Sequence, residues 1–230
     1  MTHRTTFGAV VTLIVSLTST PLLQAQPETK STPATAKSSI PMDTAGLGGR
    51  YGTMRMLYEK TIFAVDVLWL TVKLGPEDAR QIEALAQGHD YSRALADSIA
   101  QIGINSRNAF VRTDFQRDAS QEQFFDGVRD NLKNAVRAGI VEESTYEMIS
   151  ENLPVWYDFL AERGIQDGDQ ILYRILGDTL RTQFISHDGE VLRDQTDVGP
   201  ERRLSLLGSY YAKGSDFRVK LLRSVFEGKE

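Results

Sequence analysis

The chain predicts an α+β fold, with helices laid over one antiparallel sheet. Three observations predict it. Residues 61–74, "TIFAVDVLWLTVKL", form a long strand pattern that is apolar on both faces. Residues 170–198 read as three strands joined by the tight-turn pairs Gly177-Asp178 and Asp188-Gly189. Helical patterns fill the segments between and after these β regions, segregated from them rather than alternating one for one.

The N-terminus concerns location. "MTHR" is a short basic start, "FGAVVTLIVSL" is an apolar run, and Ala25 is a small residue ahead of Gln26. That is the make-up of a secretory signal peptide over residues 1–25, too short and wrongly flanked for a transmembrane anchor. No later stretch approaches the roughly 20 apolar residues of a membrane span. Residues 26–45, "QPETKSTPATAKSSIPMDTA", hold no aromatic residue and read as a disordered linker. Residues 46–230 then suffice for one domain with a substantial core. The expected product is periplasmic or secreted.

Within the domain, Phe63, Val65, Val67 and Trp69 alternate onto one face of the first strand, and Ile62, Ala64, Leu68, Leu70 and Val72 onto the other. A strand apolar on both sides is central in its sheet. Asp66 is the exception, and Arg112 on the later strand "NAFVRTDF" is its expected cation partner. Between these strands, "GPEDARQIEALAQG" has Pro76 at the first helical position and Gly88 beyond the end. "YSRALADSIAQIG" turns Leu95, Ile99 and Ile102 inward and stops at Gly103. After "NAFVRTDF", "QEQFFDGVRDNL" starts a helix with Phe124, Phe125, Val128 and Leu132 on its apolar stripe. Ser144 and Glu147 fit a capping box for a helix that Pro154 ends, and "PVWYDFLAERG" begins another with Trp156, Phe159 and Leu160 buried. The meander follows. Gly199-Pro200 then opens a helix through "ERRLSLLGSYY", and "GSDFRVKLLRSVF" supplies the last, with Leu221, Leu222 and Val225 inward.

Composition excludes several function classes. With 26 Lys and Arg against 31 Asp and Glu the net charge is −5, and cleavage at Ala25 removes Arg4, so no basic patch argues for nucleic acid. Absence of Cys excludes disulfides, thiolate metal sites and a cysteine nucleophile. Two scattered histidines, His89 and His187, remain after cleavage, and a metal site needs clustered ligands. "GLGGRYG" precedes a strand and does not fit the dinucleotide loop, and neither G-x-S-x-G nor H-E-x-x-H occurs. No cofactor, metal or catalytic set is expected.

One residue breaks its local pattern. Asn131 lies roughly 20° from Phe124 on the helical wheel, at the margin of the buried stripe. A buried amide without partners costs about 1–3 kcal/mol. It either lines a cleft between helix and sheet or hydrogen-bonds a neighbouring backbone group.

Four segments in this order resemble the chalcone isomerase family, particularly its exported bacterial relatives. They are "EKTIFAVDVLWLTVKLG", "NAFVRTDFQRDASQEQFFDGVRDNL", "LPVWYDFLAERGIQDGDQILYRI" and "LLGSYYAKGSDFRVKLLRSV", and together they span roughly 55–227. The resemblance implies an open-faced β-sandwich, a large antiparallel sheet covered by a layer of helices. Family enzymes cyclise a chalcone with an Arg and a Thr near the first strands and a Tyr and an Asn on the helix after the third. Non-enzymatic relatives hold fatty acids in the same cleft, the Arg and Tyr gripping the carboxylate. The family Asn falls on Asn131 and the Tyr position on Phe124. The Thr position falls near Val65, and the Arg falls near Arg50 or Arg55, each needing a gap. A phenol has thus become a phenyl ring and a hydroxyl a methyl, which removes acid and oxyanion assistance.

The leading reading is an exported, non-catalytic protein that binds a fatty acid or other apolar small ligand in a cleft. The lining residues are then Arg55, Val65, Phe124 and Asn131, with Trp69 beside them. Two alternatives stand: an isomerase or lyase of chalcone isomerase type, and a structural or interaction protein whose cleft is filled. An open apolar cleft with one cation at its mouth favours the binder, and a packed one the structural protein. Polar groups converging with Asn131 favour the enzyme. Export is checked directly, since N-terminal sequencing of the secreted product should begin at Gln26. An intact Met1 on a membrane-bound product overturns it.

Overall fold

A computed structural model of the chain describes residues 40–60 and 65–227. Its sheet consists of β1 (Thr53–Lys60), β2 (Val65–Leu74), β3 (Asn108–Phe115), β4 (Gln170–Leu176), β5 (Thr179–Ile185) and β6 (Val191–Val198). They lie side by side in chain order, and every adjacent pair is antiparallel. Side chains alternate across each strand, so this order sorts them onto two faces. Met54, Leu70, Val111, Ile175 and Phe184 are buried on one face. Arg55, Arg112 and Gln183 belong to the other.

The buried face is covered by α1 (Pro76–Ala86), α2 (Arg93–Asn105), α3 (Gln121–Arg137), α4 (Glu143–Trp156), α5 (Leu160–Arg163), α6 (Pro200–Tyr211) and α7 (Arg218–Arg223). The fold is therefore α+β, an open-faced antiparallel sheet under a helical layer. No helix among the described residues is long and apolar enough to cross a membrane. The other face is not bare. Ile40, inside the stretch read as linker, is buried, and its carbonyl accepts from Arg181 Nη1 on β5 at 2.6 Å.

Several elements differ from their sequence reading for definable reasons. β1 was not anticipated, although Met54, Met56 and Tyr58 alternate in "TMRMLYEK" and meet Val72, Leu70 and Leu68 of β2. The strand read from residue 61 is described from Val65, and residues 61–64 lie outside the described residues. α2 runs past Gly103 to Asn105. A Cβ on Gly103 would stand 2.6 Å from Cε2 of Tyr211, so this glycine admits a neighbouring helix and does not end its own. The capping box expected at Ser144 is not formed. Glu142 is the N-cap of α4, without a side-chain cap bond. The box sits on α3, where Ser120 N donates to Gln123 Oε1 at 3.0 Å and Gln123 N to Ser120 Oγ at 3.1 Å. Pro154 lies inside α4 rather than ending it. Its missing N–H frees the carbonyl of Ser150, which accepts from Arg129 Nη2 at 3.4 Å. The helix expected after it shortens to the single turn of α5.

The core divides in two. One cluster joins residues of β1 through β5 to α1, α2, α6 and α7, and the other joins Phe115, Ile171 and Phe184 of β3 through β5 to α3, α4 and α5. The second is closed at its edge by Asp169, whose side chain is 0% exposed. Arg163 donates to it from Nη1 at 2.8 Å and Nη2 at 3.0 Å, and the backbone N–H groups of Gln166 and His187 donate at 2.8 and 2.9 Å. One carboxylate thereby ties the turn before β4 to the turn after β5. Asp169→Ala strands a guanidinium and two backbone donors. The expected cost is about 3 kcal/mol, the low end for a broken buried pair because Arg163 still reaches water. Calorimetry should show this as a midpoint lower by several degrees, at roughly 2–4 °C per kcal/mol. An unchanged midpoint would deny Asp169 that role.

Candidate functional site

Between the two clusters the helical layer leaves a cavity of ≈ 430 Å³ against the sheet, within the range of small-molecule sites. Leu70 and Phe217 contribute from one cluster, Phe115 and Ile171 from the other, and Leu68 and Tyr173 bridge them. A β-bulge opens its edge. Tyr58 pairs with Leu68 but Glu59 with Asp66, so Val67 has no partner on β1 and joins the wall beside Leu68.

α3 forms the opposite wall. Phe124 is half-buried on its second turn, with its ring centroid 6.2 Å from Phe115 and 5.2 Å from Tyr157. Asn131 follows about 10 Å further along the helix and is 9% exposed. Its Nδ2 donates to the Gly127 carbonyl at 2.9 Å, one turn back on the same helix. Its Oδ1 lies 3.4 Å from Ser215 Oγ, whose hydroxyl also reaches the Ser209 carbonyl at 2.6 Å. The shorter contact claims the single hydroxyl proton. Asn131 Oδ1 is left as an acceptor at the cavity wall.

The deep part of the cavity is polar. Thr113, Tyr173 and Tyr210 line it. Burial pushes the Tyr157, Tyr173 and Tyr210 phenols up, so all three are neutral donors at ordinary pH. Tyr157 and Tyr173 are neighbours, as are Tyr210 and Thr113. Nearer the solvent, Tyr58 Oη donates to Asp216 Oδ2 at 3.0 Å, and its phenol is pushed up to about 12 by burial, with the Asp216 contact adding to it.

Arg117, two residues beyond β3, is the one Lys or Arg of the wall among the described residues. It forms no hydrogen bond or ion pair among the described residues, and its Nε is buried without a partner. A cation placed this way meets an incoming anion without first breaking another pair.

The four positions proposed from sequence are not brought together. Phe124 and Asn131 stand in the cavity wall. Arg55 does not, because it pairs with Thr71 on the open face and stacks over Trp69 with 4.1 Å from Cζ to the ring centroid. Trp69 is on that face with it. Arg50 lies over Tyr51, before β1, and is also absent from the wall. The backbone of Val65 pairs with Lys60 at the edge of β2, and its side chain lies outside the described residues. The partner proposed for Asp66 is engaged elsewhere, Arg112 Nε donating to Asp114 Oδ1 at 2.7 Å.

Sequence reading missed Arg117, Thr113, Tyr173 and Tyr210. Strand parity carries a signal for two of them: Val111, Thr113 and Phe115 share a face of β3, and Ile171, Tyr173 and Ile175 share one of β4. Nothing local marks Arg117, which follows its strand as an ordinary loop cation.

Asn131→Leu tests the account of the amide. The Gly127 carbonyl keeps its helical N–H donor and Ser215 keeps Ser209, so no buried group is stranded. The expected cost is within about 1 kcal/mol, a midpoint change of no more than roughly 2–4 °C by calorimetry. A much larger drop would make Asn131 a structural strut.

No protein-family model matches the chain, and no curated protein matches it in sequence. Among solved structures the chain is similar to the Arabidopsis thaliana fatty-acid binding protein AtFAP1, at 13% identity with a TM-score of 0.44, over 79% of this chain and 89% of that one.

Proposed function

We propose that this chain is an exported, non-catalytic protein of chalcone isomerase type that binds an apolar small molecule bearing an anionic group, a fatty acid or similar acyl acid. The observation that carries the reading is the combination of an open, largely apolar cavity with the guanidinium of Arg117 in its wall, which no described residue pairs. A carboxylate matches the planar donor fork of arginine, and such charge-assisted bonds are the strong ones. The alkyl chain gains from leaving water, at about 25 cal/mol per Å² of apolar surface buried. In this reading Arg117 takes the role the resemblance gave to Arg50 or Arg55, from the far end of β3. Export is supported by the make-up of residues 1–25 alone.

Support for a non-catalytic role comes from the wall chemistry. Phe124 stands where the family reaction needs a phenol, and the buried tyrosines are held neutral, so they do not act as bases. The cleft is open, which argues against a structural protein with a filled one.

Calorimetric titration with dodecanoate and with dodecanol tests the proposal. Arg117→Met should weaken dodecanoate about tenfold to a hundredfold, the equivalent of roughly 1.5–3 kcal/mol for a bond to a charged group. It should leave dodecanol unchanged. Absence of dodecanoate binding to the wild type, or equal loss for both ligands, overturns it.

A further inference from the structure

The wall of the cavity is not uniform. Phe115, Phe124 and Ile171 make an apolar belt in it; Thr113 stands opposite Ile171 across the β3–β4 pair, Tyr173 lies two residues further along β4, and Tyr210 is beside Thr113. Tyr173 is enclosed by protein yet keeps accessible surface, so that surface faces the cavity. Thr113 and Tyr210 are buried.

Hydroxyl arithmetic gives this part of the wall a chemical demand. Each hydroxyl carries one proton and can also accept. Were Tyr157 to bond Tyr173, and Tyr210 to bond Thr113, each pair would still use only one of its two protons. Each pair therefore has at least one proton to donate. An alkyl terminus seated there would strand both, and an unsatisfied buried donor is costly. Because burial raises the tyrosine pKa values, these groups present O–H donors rather than phenolates.

The spacing suits a two-ended ligand. Thr113 is on β3 and Arg117 lies at a bend two residues beyond its end, so the two are at most roughly 13 Å apart. Tyr173 pairs with Val111, two residues further from Arg117. A chain whose head meets Arg117 therefore reaches the hydroxyls with its other end along the apolar belt.

We propose that the cavity selects acyl acids carrying an oxygen at or near the end of the chain, the oxygen being received by Tyr173, Tyr210 and Thr113 while Arg117 holds the carboxylate. This rests on the acyl-acid reading of the same cavity and adds the class of acid.

The test is calorimetric titration of the purified protein with dodecanoate and with 12-hydroxydodecanoate, in wild type and in Tyr173→Phe plus Tyr210→Phe. Wild type should bind the hydroxy acid at least as tightly as dodecanoate, although the hydroxyl makes the free ligand better hydrated. The double variant should lose fivefold to tenfold or more for the hydroxy acid, about what one or two neutral hydrogen bonds supply, and should hold dodecanoate equally or better. If the double variant does not fold, the two single variants are read the same way. A hydroxy acid that binds tenfold more weakly than dodecanoate to wild type, or that is indifferent to the substitutions, overturns the oxygen site and leaves the acyl-acid reading intact. Binding of neither acid removes both.

Discussion

Six strands paired in chain order commit every second residue to the helix-covered face, and the rest of the molecule works within that constraint. Sequential antiparallel pairing leaves no freedom for a side chain to change face except at an irregularity. The bulge at Val67 is such an irregularity, and it lies at the cavity edge. Arg55 shows the constraint from the other side. Its place between Met54 and Met56 decides that it faces away from the helices.

The cavity follows from how the helices share that face. A single apolar layer over the sheet would be filled, but here the buried residues gather in two clusters, one centred on α1, α2, α6 and α7 and the other on α3, α4 and α5, which meet where α3 packs on α6. Protein interiors tolerate few voids larger than water, so a seam of this size marks a place where packing yields to another purpose. Aromatic rings back its wall behind Phe124. Phe124, Tyr157, Phe159 and Phe184 form a chain of edge and tilted contacts with centroids 5.1–6.5 Å apart. Such rings have few rotamers to lose and hold the wall in shape when nothing fills it.

Several polar groups within this apolar layer are satisfied locally. Asp169 collects four donors, the Ser150 carbonyl left by Pro154 receives Arg129, and Asn131 bonds back to its own helix. Of the buried side-chain atoms left without a partner among the described residues, Arg117 Nε is the one that belongs to the cavity wall.

The sequence by itself determined the fold class, the meander with its turns, and the α3 stripe. These rest on local periodicity and on residues such as Asp188-Gly189, whose glycine has φ +91°, and such signals act within a few residues of chain. It also singled out Phe124 and Asn131 as a pair on one helical side, which the structure places in one wall. Tertiary structure decided what lies opposite them. β1 escaped notice because eight residues of mixed polarity make a strand only when β2 pairs with them. Gly103 and Pro154 looked like helix ends because their meaning depends on Tyr211 and Arg129, distant in sequence. Arg117 joined the site, and Arg55 left it, for the same reason. Which face a residue occupies is local to its strand, but which face the helices cover is settled only when the whole sheet has formed.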